Sequence, residues 1–558
     1  MIPDEAVNQA LHLQQQGKLE DAKALYHQIL AQDPKNPSAL HFLGMLAWNA
    51  GDHETAFGML SEAVNFGAPQ DYIYLNFAQI LRSMNRPQDA IQVIGILLAQ
   101  APDNEVACVR QAALQLQIGD ANGAQINLNR VIRNNAQNPE ALGLMGQALT
   151  AQNRLDEALP YMERAAALEP ENINILSQLG TLLKEVDRLE DAEKIYRKAL
   201  ALAPNTGSIL YNLASLYLHQ NRLDEAIETA RQALGIDPEV VEARGHVEAA
   251  ALLHQGNLPD GFAAYEDRLK ASTFPQDILA RNPFPRWKGQ DIQRQSIIVT
   301  AEQGYGDTIQ FVRYIPLLVE RLDPSNKILL EAPTALQPLL EELVHTMPDH
   351  VHLVPESAPR PAIDCWTPLM SLPHLLGTTL DTIPANIPYL SAPAEKVAHW
   401  RKKLADTSDT KVGLVWMGNP NQLRNKHRSC PIKTLAPLTG MPGVQFFSLQ
   451  KDISGAPIDL PSGIIDIGSD FQDFSDTAAA IANMDLVISV CTSVAHLTGA
   501  LGKPLWVMLA YAPDWRWMLD RDDSPWYPTA RLFRQEAPGD WAGVVDRVTQ
   551  ALKGFDPA

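Results

Sequence analysis

Four short segments hold residues whose types and spacing could do chemistry. The first is Ala301-Glu302-Gln303-Gly304-Tyr305-Gly306-Asp307-Thr308. Gly304 and Gly306 let a backbone turn tightly and let a ligand come close. Asp307, a carboxylate at the helix start, reads on position alone as an N-cap first. The second, residues 490–504, carries Cys491, Thr492, Ser493 and His496. Two hydroxyls and the open N–H groups of a helix start make an anion site. The alternative is that Thr492 and Ser493 are plain caps and His496, one turn in from Thr492, is a packed side chain. The third, residues 417–429, has four basic residues, Arg424, Lys426, His427 and Arg428. It reads as a phosphate clamp or as a solvated loop. The fourth, Asp514-Trp515-Arg516-Trp517 and then Arg521 to Pro528, is either a stacking and ion-pairing surface or a structural wrap.

These segments sit where strands give way to helices. SIIVTA (296–301) reads as a strand, 306–322 as a helix, KILLEA (327–332) as a strand, 333–344 as a helix and VHLVP (351–355) as a strand. A proline-rich stretch, TIPANIPYLSAP (382–393), reads as a connection. Alternation resumes with strands over 411–418, 444–450, 464–468, 485–490 and 504–510 and helices over 473–484, 493–502 and 540–555. Strands alternating with helices predict parallel sheets covered on both faces. Two such halves joined by a linker predict a cleft between doubly wound domains.

Upstream, the chain repeats. Alanine recurs every 34 residues at Ala22, Ala56, Ala90, Ala124, Ala158, Ala192 and Ala226, each after a turn-like stretch such as GKLEDA or NRLDEA. Twelve residues earlier stands a small residue: Ala10, Gly44, Ala78, Ala112, Gly146, Gly180 or Ala214. Proline follows at Pro34, Pro102, Pro170, Pro204 and Pro238. Two antiparallel helices approach closely where small side chains face each other, and proline closes the second helix. The pattern resembles the tetratricopeptide repeat, with seven units over 3–240 and a degenerate eighth, GNLPDGFAAYEDRL. Such repeats stack into a superhelix with a concave peptide-binding face. One register of the first helices reads Asn8, Phe42, Asn76, Arg110, Leu144, Gln178 and Asn212. Asn8, Asn76, Gln178 and Asn212 there either hydrogen-bond the backbone of a bound protein or are solvated helix positions.

QGYGDTIQFVRYIP, NKHRS and SVCTSVAHLTGALGKPLWVML together resemble the heptosyltransferase-like GT-B glycosyltransferase module. They are similar in particular to bacterial proteins that fuse this module to tetratricopeptide repeats, among them flagellin glycosyltransferases; the O-GlcNAc transferases share the plan. The resemblance implies an α plus α/β chain: a repeat superhelix over 1–270 that binds the acceptor protein, a GT-B N-terminal Rossmann-like lobe over 271–395 and a nucleotide-sugar-binding lobe over 396–558. It implies that Asp307 is the catalytic base, with Gly304 and Gly306 in the acceptor-side loop. Lys426 and Arg428 fall on the loop facing the donor phosphates, and Thr492, Ser493 and the catalytic His496 on the donor-phosphate helix. A histidine beside a phosphate is stabilised in its protonated form. One departure stands out: the related pattern has an acidic residue where this chain has Cys491. The implied reaction is inverting transfer of a sugar from a nucleotide donor to Ser/Thr of a flagellin-like protein. Nucleotide-linked nonulosonic acids and N-acetylhexosamine both fit. No cofactor is expected, and no DxD pair is placed as a metal site would be.

Composition bounds these readings. The 558 residues are 46% hydrophobic and 20% charged, which excludes a disordered chain. The net charge is -20, with 20 basic and 34 acidic residues in 1–270 against 25 and 31 beyond. Such a balance disfavours nucleic acid as a partner. The four cysteines form no CxxC pair. The start, MIPDEAVNQA, lacks a signal-peptide pattern and no run approaches a membrane span, so a soluble cytoplasmic protein is expected. Two rivals remain at this level. One is a binding scaffold whose GT-like half is catalytically silent, which Cys491 favours. The other is a lipopolysaccharide glycosyltransferase, which the acidic repeats disfavour.

Overall fold

The 34-residue sequence register is also a register of backbone conformation. The computed structural model describes residues 3–405, 409–420, 425–451 and 459–557. In its first compact unit, residues 1–204, helix pairs recur from Pro3–Gln15 with Leu19–Gln32 to Ile173–Glu185 with Leu189–Leu202. Within each pair one turn residue has positive φ: Gly17, Gly51, Asn85, Gly119, Asn153 and Asp187. Glycine pays no Cβ penalty there, and Asn and Asp pay less than other residues. This conformational demand explains why the turn stretches begin with G, N or D. The side chains of Asn36, Asn104, Asn138 and Asn172 cap first helices, accepting from the N–H groups of Ala39, Ala107, Ala141 and Ile175. Each such cap is worth about 1 kcal/mol. The ladder alanines are fully buried, and a Cβ on Gly180 would lie 2.6 Å from the Tyr196 ring, so the small residue is a seat for the facing helix.

The second unit, residues 205–558, opens with one more pair, Gly207–His219 and Leu223–Ile236, turning at Asn221. The next helix begins with a π turn, Ala243–Glu248, before Ala249–His254. A π turn accommodates one extra residue. The positive-φ glycine accordingly falls at Gly256, one residue past the register, and Gly261 takes the place of the ladder alanine. That is why the eighth unit looks degenerate. Leu258–Tyr265 and a 3-10 turn, Glu266–Lys270, follow.

Two parallel sheets come next. The first contains β1 (Ser296–Thr300), β2 (Lys327–Ala332), β3 (Val351–Pro355) and β4 (Cys365–Pro368), in the order β3-β2-β1-β4. The second contains β5 (Thr410–Val415), β6 (Val444–Ser448), β7 (Ile464–Asp466), β8 (Leu486–Val490), β9 (Leu505–Leu509) and β10 (Ala530–Arg534). Its order is β10-β9-β8-β5-β6-β7, and every ladder in both sheets is parallel. This is the doubly wound order, with the direction of winding reversing between β5 and β8. All residues of β8 and β9 are buried, as a sheet covered on both faces requires. The helix expected over 306–322 is instead Tyr305–Phe311, a 3-10 turn Val312–Tyr314 and Ile315–Arg321, because Pro316 starts a helix readily but does not continue one. Two strands, β4 and β10, lie outside the sequence-based expectation. The chain is thus a helical repeat array followed by parallel sheets with helices. Among the described residues, no helix is long and apolar enough to cross a membrane.

Candidate functional site

Ligands of doubly wound sheets bind beyond the carboxyl ends of the strands, at the reversal point. Three of the four chemistry-bearing segments leave such ends: 301–308 follows β1, 416–429 follows β5 and 491–496 follows β8. The fourth, 510–528, follows β9.

Gly304 caps helix Tyr305–Phe311, and Asp307 in its first turn reaches back so that Oδ2 accepts from the Gly304 N–H at 3.0 Å. Oδ1 accepts from Arg516 Nη2 at 2.5 Å. The capping and charged roles of Asp307 are therefore held together. Arg516 is nearly buried, with its guanidinium 4.4 Å from the Trp515 ring centroid. It also donates through Nη1 to both oxygens of Asp514, at 2.9 and 3.0 Å, and through Nε to Gln310 Oε1 at 2.5 Å. Burial pushes Asp307 up, against the pull of Arg516 and with help from Asp514. Asp514 moves the other way: burial raises it, but Arg516 more than offsets that.

The first turn of helix Ser493–Ala500 meets the first turn of this helix. A Cβ on Gly306 would stand 3.0 Å from His496 Cδ2 and 3.4 Å from Ser493 Cα, so the second glycine of the loop is the contact between the two helix starts. Thr492 is the N-cap residue, in extended conformation, yet its Oγ1 pairs with Ser489 Oγ at 3.1 Å and does not cap. Ser493 is half-buried at the first helical position. His496 is buried, stacked on Trp517 at 5.5 Å, with Nδ1 2.9 Å from Tyr527 Oη. Burial pushes its pKa down to about 3, aided by Arg516, so the ring is neutral at neutral pH. The expectation of a protonated His496 depends on a phosphate beside it. The Cys491 thiol accepts from Trp517 Nε1 at 3.1 Å, and burial raises it to about 11, so it is not a thiolate.

Beyond β5, Gly418 meets the helical turn Asn425–Arg428. A Cβ there would fall 2.6 Å from Asn425 Oδ1 and close against the Arg428 guanidinium. Asn425 Oδ1 accepts from Ser429 Oγ at 3.0 Å. The positive charge of Arg428 disfavours protonation of both Cys491 and His496, as a smaller effect than burial on each. Lys426 is exposed. His427 lies against His219, with ring centroids 5.6 Å apart. Arg424 lies outside the described residues. Arg521 pairs with Asp523 at 2.6 Å.

Sequence reasoning passed over a second layer behind the glycine loop. Glu302 is buried, with Oε1 accepting from Arg268 Nη2 at 2.7 Å, and Gln303 Nε2 donates to Tyr265 Oη at 2.5 Å. Burial raises Glu302 despite Arg268 and carries Tyr265 up to about 12. The helical segment 258–270, at the end of the repeats, thus holds the loop that carries Asp307. The hint in the sequence is a second carboxylate, Glu302, two residues past the end of β1.

In the repeats, Asn8 is exposed, while Asn76, Gln178 and Asn212 are half-buried. Asn76 Nδ2 pairs with His41 Nε2 at 3.1 Å and Gln178 Oε1 accepts from Gln147 Nε2 at 2.9 Å, so both amides bind neighbouring repeats.

Profiles of the tetratricopeptide repeat match residues 7–72, 139–172 and 171–239. The helix pairs are tetratricopeptide repeats. Protein FlbA of Caulobacter vibrioides is 30% identical over 343 residues, covering 57% of this chain and 56% of FlbA. The chain therefore matches little more than half of that relative's length, though over more residues than the repeats contain. Among solved structures, a thermophilic TPR protein of Thermus thermophilus is 26% identical, covering 33% of this chain and 100% of its own, with a TM-score of 0.30. YrrB, titled a TPR protein with an unusual peptide-binding site, is 21% identical, covering 33% of this chain and 95% of its own, with a TM-score of 0.28.

Proposed function

We propose that the protein is a protein O-glycosyltransferase of GT-B type. In this reading the tetratricopeptide repeats recruit a flagellin-like acceptor, and a nucleotide-activated sugar binds over the reversal point of the second sheet. The observation that carries the reading is the meeting of the Asp307 helix start with the Ser493 helix start across Gly306, with no described side chain capping the Ser493 helix.

The acceptor Ser/Thr oxygen attacks the anomeric carbon. The new C–O bond forms as the bond to the donor phosphate breaks on the opposite face, so the configuration inverts. The hydroxyl proton passes to Asp307, whose raised proton affinity suits a general base. The departing phosphate gains negative charge, which Arg428 and the first N–H groups of helix Ser493–Ala500 offset. His496, neutral at working pH, offers a ring N–H hydrogen bond to that developing charge and transfers no proton.

Incubating the purified chain with a flagellin and each of two donors, a nucleotide-linked nonulosonic acid and a nucleotide-linked N-acetylhexosamine, tests this directly. A mass increment of one sugar on flagellin Ser/Thr is expected from one donor. Neither transfer nor donor hydrolysis with either would favour the second reading, a binding scaffold. That reading draws support from Cys491 and from the tie between Asp307 and Arg516.

A further inference from the structure

One arginine serves two carboxylates at the core of this site. Arg516 Nη2 gives Asp307 a single contact, while Nη1 reaches both oxygens of Asp514 and the Arg516 backbone N–H adds a third bond to Asp514 Oδ1 at 3.0 Å. Nε is taken by Gln310. The guanidinium carries one positive charge against two negative ones, in a setting where its side chain is 7% exposed. The charge cannot neutralise both carboxylates, and its contacts favour Asp514.

We propose that Asp514 is a positioning residue that draws the Arg516 charge away from Asp307 and so keeps Asp307 able to accept the acceptor's proton. The proposal rests on the reading of Asp307 as general base and adds a residue that tunes it. The other groups facing Asp307 do not supply the same effect. On its own loop stands Glu302, whose oxygens go to Arg268 and the Met370 N–H rather than to Arg516. From the helical segment comes Tyr265, whose hydroxyl stays protonated through the working range. From helix Ser493–Ala500 comes His496, neutral above about pH 3. Arg428 and Arg313 act on His496, but Asp307 has Arg516 as its own cationic partner. Asp307 is raised and Asp514 lowered by one shared environment, the separation of paired carboxylates that acid–base sites use.

The test is Asp514→Asn in the full chain. Asn keeps the cap on the Arg516 N–H and removes the charge. The carboxyl infrared band is titrated with pH in wild type and in Asp514→Asn, each with and without Asp307→Asn, so that the difference isolates Asp307 and needs no ligand. With Asp514 gone, Arg516 acts wholly on Asp307, whose carboxylate is then favoured. Its midpoint should fall by about one pH unit, roughly a tenfold loss of proton affinity. The acid limb of the transfer rate should move down with it while the donor KM stays put. An Asp307 midpoint that is unchanged or higher overturns the proposal. If the midpoint falls but the acid limb does not follow, the charge sharing stands and the base assignment fails. Asp514→Ser, which also caps without charge, gives the same readout should the Asn variant fold poorly.

Discussion

Replacing Asp307 with Asn separates chemistry from architecture, because the structure bounds what the fold loses. Asp307 accepts two hydrogen bonds, from Gly304 N–H and from Arg516 Nη2. Asn has one carbonyl oxygen and one NH2. Turned either way, it satisfies one donor and sets its own donor against the other. One buried donor left unmatched costs about 1–3 kcal/mol. Orphaning a buried charge would cost about 3–5 kcal/mol, but Arg516 keeps both contacts to Asp514 and that larger penalty does not arise. The stability loss should therefore be about 1–3 kcal/mol, within what a chain with two large cores tolerates. Losing a general base costs about 10²–10⁴ in rate, or roughly 3–5 kcal/mol of barrier. The assay pairs urea unfolding with initial rates of sugar transfer to flagellin on the same preparation. The expected result is a folded protein with modestly lower stability and transfer reduced a hundredfold or more. Lowered stability with transfer within threefold of wild type would refute the base and leave Asp307 as a cap and an ion-pair partner.

Gly306→Ala puts a methyl 3.0 Å from His496 Cδ2, and overpacking of this kind costs about 1–3 kcal/mol; calorimetry should show a lowered Tm, together with weakened donor binding as the two helix starts separate. Arg428→Ala should weaken binding of the nucleotide product in calorimetric titration, and unchanged affinity would make the loop after β5 a solvated surface. His496 is held at about 3 against an ordinary value near 6.5, so between those values the unfolded chain binds the extra proton. Its contribution is full above about pH 6.5 and is lost on acidification, at up to about 1.4 kcal/mol per pH unit, so wild type should lose more stability from pH 7 to pH 5 than His496→Gln in urea unfolding.

What could be read from the sequence was whatever the fold imposes locally. A 34-residue pair needs a left-handed turn residue, a capped first helix and a small seat, and each demand selects residue types at fixed positions. Asn85, Asn172 and Gly180 show it one demand at a time. The loops after β1 and β8 were legible for the same reason, since a strand that ends in a tight turn into a helix needs Gly304 or Thr492-Ser493. The four residues of β4 and the five of β10 were not. Cys365–Pro368 is buried throughout and ends in proline, and Ala530–Arg534 carries two arginines, so neither offers a run long enough to show a period of two. The contact that matters most for the site lies furthest from local signals. Asp307 and Arg516 stand 209 residues apart, one in a glycine loop and one among tryptophans, and each taken alone admits a purely structural role. Arg516, on the turn after β9, reaches the Asp307 helix through Asp307 itself and through Gln310, and only the tertiary fold brings these segments together. The side chains most telling for the chemistry are thus the ones whose partners come from distant stretches of the sequence. That leaves the charge balance of Asp307, Arg516 and Asp514 as a property of the tertiary fold, and it is the balance that decides whether Asp307 works as a base.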